Sequence, residues 1–236
     1  IKLASAELIE ELEDRPDLRV DAALIREQAD RCRDILRDMG RAGKDDLHLR
    51  QAPISTVILE AAEPHMHRGK FIHFEEGPEE GGDFQQPTVL RKPEIIHGLR
   101  NLVQNAVDYS RANVWVESTW TDDAITLRIY DDGAGYPSQM LGRIGDPFVR
   151  QGRIDSDRKP RPEYEGMGLG LFIAKTLLER TGAVLRFANG TDPLQTISIH
   201  TDRPGAIVEV YWPRQKIDAI QGENAVPLGQ NQPIKI

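Results

Sequence analysis

Asn101-Leu102-Val103-Gln104-Asn105-Ala106-Val107-Asp108-Tyr109-Ser110 is the stretch on which the reading of this chain turns. On a helical wheel Ile95, Ile96, Leu99, Leu102, Val103 and Ala106 share one face, which predicts a packed helix over 93–109. Pro93 opens it where a first turn tolerates proline. Asn101, Asn105 and Asp108 share the roughly opposite face. A polar stripe on an amphipathic helix is ordinarily a solvated face. Asn is a mediocre helix former, however, and two of them four apart in a helix interior admit a second reading, amide oxygens aimed at a hydrated Mg²⁺.

Outward from that helix, residues 113–119 and 124–130 alternate as a strand pair, and Asp131-Asp132-Gly133-Ala134-Gly135 closes the second strand with a sharp turn. Glycine supplies positive φ cheaply and Asp bonds its own backbone, so a plain turn accounts for these residues. The functional alternative is a strand-end carboxylate that accepts the exocyclic N–H of adenine, with glycines letting a flat base approach the backbone. Further on, Gly166-Met167-Gly168-Leu169-Gly170-Leu171 runs into an amphipathic helix predicted over 168–180. Three glycines cost about 1 kcal/mol each inside a helix. A helix start with bare N–H groups is a natural phosphate site, and a loose Gly-rich hinge is the competing reading. The spacing is neither that of a P-loop nor of a dinucleotide-binding turn.

Between and around these motifs the pattern predicts a helix over 54–67, a strand over 70–74, a Gly/Pro/Glu loop over 75–87, and strands over 184–188, 196–200 and 207–212. Helices stacked largely on one face of a mixed sheet make an α+β sandwich. Ahead of it, Ile25, Ala29, Cys32, Leu36 and Met39 recur at alternating steps of four and three, the seam of a coiled coil or bundle, and Arg15-Pro16-Asp17 breaks an earlier helix. That predicts an antiparallel helical hairpin over 1–46 which completes a four-helix bundle with a second copy, hence a homodimer. The catalytic-type domain is placed at 47–213 and a flexible tail at 214–236.

Thirty basic residues against thirty-eight acidic ones leave a net charge of −8, which speaks against direct nucleic-acid binding. No apolar run reaches the ~20 residues of a membrane helix. The single cysteine, Cys32, makes no intramolecular disulfide, which fits a reducing, cytoplasmic setting. The chain opens at Ile1 inside a helix-like stretch, and we expect a piece of a longer protein.

The order of these motifs, with Asp146-Pro147-Phe148 and a long polar stretch between them, resembles the N, G1, F and G2 boxes of sensor histidine kinases. The resemblance spans roughly 47–213. It implies the Bergerat ATP-binding fold shared with gyrase, Hsp90 and MutL, and ATP and Mg²⁺ as ligands. Through it, Asn105 is the Mg²⁺ ligand with Asn101 beside it, Asp131 reads adenine beside Gly133 and Gly135, and Tyr109 flanks the base. Gly166, Gly168, Leu169, Gly170 and Leu171 form the phosphate cradle. Residues 150–165 become the ATP lid, anchored by Phe148, with Arg153, Arg158, Lys159 and Arg161 as phosphate contacts.

Departures from the family pattern are informative. Asp108 stands where these kinases usually carry Lys, and Ala206 where many carry a hydroxyl near adenine. Gyrase-type ATPases place Glu four residues before the Mg²⁺ Asn as base for water; here that residue is Asn101, and an amide takes no proton. The site therefore reads as one that holds ATP for another nucleophile. In the family that nucleophile is a histidine followed by an acid, three intervening residues and a proline. His48, His65, His67, His73, His97 and His200 all lack this setting, so the phosphoacceptor is expected upstream of Ile1. The parent would be a membrane-anchored kinase that passes phosphate to a response regulator; the alternative is a non-catalytic dimeric ATP-binding, redox-sensing module. Cys32, flanked by Arg31 and Arg33, resembles the redox-switch cysteine of the RegB/PrrB redox-responsive kinases.

Overall fold

The computed structural model describes residues 15, 18, 19, 22, 26, 51–80, 82–146, 169–190 and 203–219. The chain divides into two compact units, Ile1–Asp46 and Leu47–Ile236. In the first, Leu18, Arg19, Ala22 and Arg26 are helical. The predicted seam, Cys32 and the dimeric bundle lie outside the described residues.

In the second unit the order is β1 (Gln51–Pro53), α1 (Ile54–Ala62), a 3₁₀ turn (Glu63–His65), β2 (Phe71–Pro78), β3 (Thr88–Leu90), α2 (Pro93–Tyr109), β4 (Asn113–Trp120) and β5 (Ala124–Asp131). A second 3₁₀ turn (Ser138–Arg143), α3 (Leu169–Glu179), β6 (Val184–Asn189), β7 (Ala206–Pro213) and α4 (Arg214–Ile217) follow. The main sheet runs β2-β4-β5-β7-β6. β2 and β4 are parallel, and the remaining pairs are antiparallel. β1 and β3 form a separate antiparallel pair.

Alternation along the strands decides which face carries the helices. Val114 and Val116 of β4, Ile125, Leu127 and Ile129 of β5, and Val208, Val210 and Trp212 of β7 join Ile54 and Val57 of α1, Leu99, Leu102 and Val103 of α2, and Ala174 and Leu178 of α3 in one core. Asp131 continues the parity of Ile125, Leu127 and Ile129, so the same register that buries those three turns its carboxylate toward the helices.

The opposite face carries a small apolar cluster of Tyr130, Ala188 and Ile207, with Trp115 against it, interlocked by charged side chains. Arg203 lies with its guanidinium 5.3 Å from the Trp115 ring centroid and 5.0 Å from that of Tyr130, and its Nη2 donates to Glu75 Oε1 at 2.6 Å. Arg128 and Arg186 both bond Glu209, at 2.9 and 3.1 Å. These contacts fasten the entry to β7 across β4 and β5.

Three expectations change. β2 continues to Pro78, where a loop was expected from residue 75, because β4 offers an eight-residue partner and proline is tolerated on an edge strand. The predicted helix over 54–67 stops at Ala62 and tightens into the 3₁₀ turn, with proline at its second position. The tail expected to wander from Arg214 instead packs through residue 219. Ile217 is fully buried, Asp218 bridges Val89, and the Arg214 Nη2 bonds Asp218 Oδ2 at 2.7 Å. The strand expected over 196–200 lies outside the described residues. Among the described residues no helix is long and apolar enough to cross a membrane.

Candidate nucleotide-binding site

A cleft, partly open to solvent, lies between α2 and the ends of β5 and β7. Leu102, Asn105, Ala106 and Tyr109 of α2 form one wall, and Ile129, Asp131, Gly135, Tyr136, Ala206 and Val208 the other. The lining is mostly apolar with a few polar groups, Asn105, Tyr109 and Asp131, the usual composition of a small-molecule site.

Asp131 is 3% exposed. Its Oδ1 accepts the N–H of Gly133 at 2.8 Å and that of Ala206 at 3.1 Å. Among the described residues Oδ2 takes no hydrogen bond, so one oxygen is fixed by the fold and the other is uncommitted. Burial pushes the carboxyl up to about 6, against the two N–H bonds, which lower it; the neighbouring Asp132 charge adds to the rise. A buried acceptor with one open lone-pair position is what an exocyclic amine needs. Gly205 makes the arrangement sterically feasible, since a Cβ there would stand 2.1 Å from Asp131 Oδ1.

Asn105 donates from Nδ2 to Asn101 O at 2.8 Å, which commits the amine end of the side chain and leaves the amide oxygen as its cleft-side acceptor. α3 begins beside it: a Cβ on Gly170 would stand 3.1 Å from Asn105 Nδ2. Among the described residues no group of three His, Cys, Asp or Glu side chains could hold a metal ion by itself. The donors present suit a hard cation that takes one protein oxygen and completes its shell with phosphate and water, which is the habit of Mg²⁺.

Of the residues singled out in the sequence, the structure brings Asn105, Tyr109, Asp131 and Gly135 into one cleft and sets Gly170 against it. Leu171 follows in the first turn of α3 and packs against the core. Three are placed differently. Asn101 is 2% exposed and donates to His97 O at 2.9 Å within its own helix, so it backs Asn105 and does not line the cleft. Gly133 serves the turn itself: its Cβ would meet Tyr109 O at 2.4 Å. Asp108 does not line the base-side cleft and pairs with Arg68 at 2.7 Å. Phe148, Arg153, Arg158, Lys159, Arg161, Gly166, Gly168 and the side chain of Leu169 lie outside the described residues.

Sequence reasoning missed Tyr136 and Asn189. The Asn189 amide clasps the Tyr136 backbone in both directions, accepting its N–H at Oδ1 (2.6 Å) and donating from Nδ2 to its carbonyl (2.7 Å). Gly135, at φ 76, makes the turn that presents this backbone. Tyr136 is buried, and burial together with the Asp131 charge raises its hydroxyl well above the ordinary tyrosine range. The only sequence trace was Asn189-Gly190, which reads as a generic turn.

This fold and cleft define an ATP-binding domain of the histidine-kinase and gyrase kind. Residues 91–216 match the family described as histidine kinase-, DNA gyrase B-, and HSP90-like ATPase, and the chain belongs to that family. It is 61% identical over 231 residues to the sensor histidine kinase RegB of Cereibacter sphaeroides, an alignment covering 98% of this chain and 49% of that protein. The chain spans about half the length of the curated relatives it matches. Among solved structures, the mycobacterial sensor histidine kinase MprB superposes with a TM-score of 0.51 at 23% identity, covering 69% of this chain and 95% of that one. Full-length ShkA in complex with AMPPNP gives 0.50 at 22% identity, covering 83% of this chain and 38% of that one. At these identities the two structures speak for the fold.

Proposed function

We propose that this chain is the nucleotide-binding core of a redox-responsive sensor histidine kinase, which holds Mg²⁺·ATP for transfer of the γ-phosphoryl group to a histidine and from there to an Asp of a response regulator. The observation that carries the proposal is Asp131: a buried carboxylate at a strand end, one oxygen locked by Gly133 and Ala206, the other uncommitted, in the same cleft as Asn105. Asp131 accepts the adenine amino group, Tyr109 and the apolar wall hold the base, and Asn105 supplies the cation's protein oxygen. The cation would neutralise charge on the phosphates. The first turn of α3 beside Asn105 offers to the phosphate chain the N–H groups that a helix start leaves without an intrahelical partner.

Among the described residues that line the cleft, Asp131 is the one carboxylate, and its role here is to accept the adenine amine. Asn101 is an amide, buried, and tied to His97 O. This favours transfer to an imidazole over hydrolysis, with the acceptor helix supplied by the parent protein. Homodimerisation through 1–46, a response-regulator partner, a membrane-anchored parent, and thiol chemistry at Cys32 complete the proposal. Asp131, Asn105 and Gly170 are its testable centre.

The test is calorimetric titration of the chain with ATP, with and without Mg²⁺, followed by incubation with a separately supplied acceptor helix. Mg²⁺-dependent ATP binding and acid-labile label on that helix are the expected results. Binding without transfer would reduce the chain to a nucleotide-binding module. For Cys32, a covalent dimer or sulfenic acid formed by mild oxidant and absent in Cys32→Ser is the expected outcome, read on non-reducing gels.

A further inference from the structure

Arg68 lies between the first 3₁₀ turn and β2, outside every motif that identified the nucleotide site. Its Nη2 bonds Asp108 Oδ1 at 2.7 Å, and its Nη1 is 3.4 Å from His65 Nδ1. Both members of the ion pair are 25% exposed, so the guanidinium is anchored yet reachable from solvent. Asp108 follows Asn105 by three positions on α2, about 5–6 Å away between Cβ atoms.

The side of Asn105 on which this pair stands is informative. At about 100° per residue, Leu102, Ala106 and Tyr109 lie to one side of Asn105, and Asn101 and Asp108 to the other. The first group lines the cleft that receives the base. The start of α3, at Gly170, closes on Asn105 itself. A nucleotide with its base against Asp131 and its phosphates led past Asn105 therefore extends toward the Asp108 flank. A bare carboxylate there would repel a triphosphate. Arg68 cancels that charge, and a guanidinium has a planar fork of five donors able to span a carboxylate and a phosphate together.

We infer that Arg68, held by Asp108, is a phosphate-sensing residue of the nucleotide site, one that favours ATP over ADP and AMP. The inference rests on the nucleotide-binding reading above. It assigns the α1–β2 connection a part in recognising the terminal phosphates, and it gives the Arg68–Asp108 pair a role that an ordinary surface ion pair, contributing ~0–1 kcal/mol, does not have.

The experiment is calorimetric titration of the full chain with Mg²⁺·ATP, Mg²⁺·ADP and AMP. Arg68→Ala is compared with wild type and with Arg91→Ala, which removes a similar exposed pair with Glu60 (2.7 Å), neither member of which lines the cleft. Arg68→Ala should lose roughly tenfold to a hundredfold in ATP affinity, as expected for a hydrogen bond to a charged group, with a smaller loss for ADP and AMP unchanged. Unchanged AMP binding also reports an intact fold. Adding Asp108→Lys to Arg68→Ala should restore the preference for ATP, because a cation returns to the same flank from α2. Equal losses for all three nucleotides, no loss at all, or the same graded loss in Arg91→Ala would overturn the inference while leaving the site assignment standing. Wild-type chain that binds none of the three overturns the nucleotide reading itself, and the inference with it.

Discussion

Asp131 and Asp132 are adjacent in sequence and do opposite work. Asp131 faces the helices, is 3% exposed, and is pushed up to about 6 by burial. Asp132 faces the turn after α2, where it accepts the N–H groups of Arg111 (2.6 Å), Ala112 (3.0 Å) and Asn113 (3.0 Å) and the Asn113 side-chain amide (3.1 Å). Burial acts to raise Asp132 as well, but these donors outweigh it and hold the carboxyl below its ordinary value. One carboxylate is saturated by the backbone and fastens α2 to β4. Its neighbour is left half satisfied in a cleft. The strand period of two separates a structural acid from a binding acid with no other change in sequence.

The largest effect follows from breaking the binding half. In Asp131→Asn the Oδ1 bonds to Gly133 and Ala206 can persist, which directs the new amide N–H groups at the position where adenine presents its own donor. Loss of a charge-assisted bond, worth about 1.5–3 kcal/mol, is joined by that donor–donor clash, so ATP affinity should fall by at least ~10–100-fold with a melting temperature no lower than that of the wild type. Wild-type affinity in this variant would falsify the assignment.

Breaking the structural half should show the reverse pattern. Asp132→Ala leaves the turn at 111–113 without its acceptor and should destabilise the domain by about 1–2 kcal/mol, discounted for the partial exposure of the group. Thermal denaturation should register a drop of a few degrees, while ATP affinity of the remaining folded protein stays within about twofold. A large affinity loss without destabilisation would mean that the two acids are not separable.

Asn189→Ala tests the far side of the same turn. It deletes both bonds to the Tyr136 backbone, each worth about 1 kcal/mol, so the wall formed by Gly135 and Tyr136 loosens. A several-fold loss of ATP affinity is expected by calorimetry, smaller than that of Asp131→Asn because no group touching the base is removed.

That clasp also marks where sequence reasoning stopped. The bounds of α2 and the β4–β5 pair were legible because they are local: a 3.6-residue apolar period, a proline at the first turn, and strict alternation. Asp131 and Asn105 were legible through the order of the motifs. The partners that shape the cleft were not, since Asn189 reaches Tyr136 across fifty-three positions and Ala206 reaches Asp131 across seventy-five, and no periodicity encodes such pairings. The packing of Ile217 and Asp218 was hidden for the same reason. A polar segment rich in Gly, Gln and Asn masks one short turn whose partners, Val89 and Thr88, belong to a strand too brief to show alternation. Arg68 escaped notice because its role depends on Asp108, forty positions away.

The smallest effect near neutrality comes from pH, and it distinguishes the two acids most sharply. With Asp131 at about 6, the carboxylate is about nine-tenths ionised at pH 7, so ATP affinity should hardly change between pH 7 and 8. Below pH 6 it should fall by about tenfold per unit, because only the ionised form accepts the adenine amine. Stability moves the other way. Folded Asp131 keeps its proton up to about 6, whereas the unfolded chain releases it near the ordinary value of 3.8, so the native state binds more protons in this window and gains stability from this group as pH falls through it. Asp132 has the opposite sign: its contribution is complete above the unfolded value and is lost as pH drops through its lowered folded value. Acidification from pH 7 to 5 should therefore weaken ATP binding without destabilisation from either carboxylate. Calorimetry and thermal melts on the same samples, with Asp131→Asn as reference, measure both. Affinity independent of pH down to 5 would show that the adenine-reading acceptor is not Asp131.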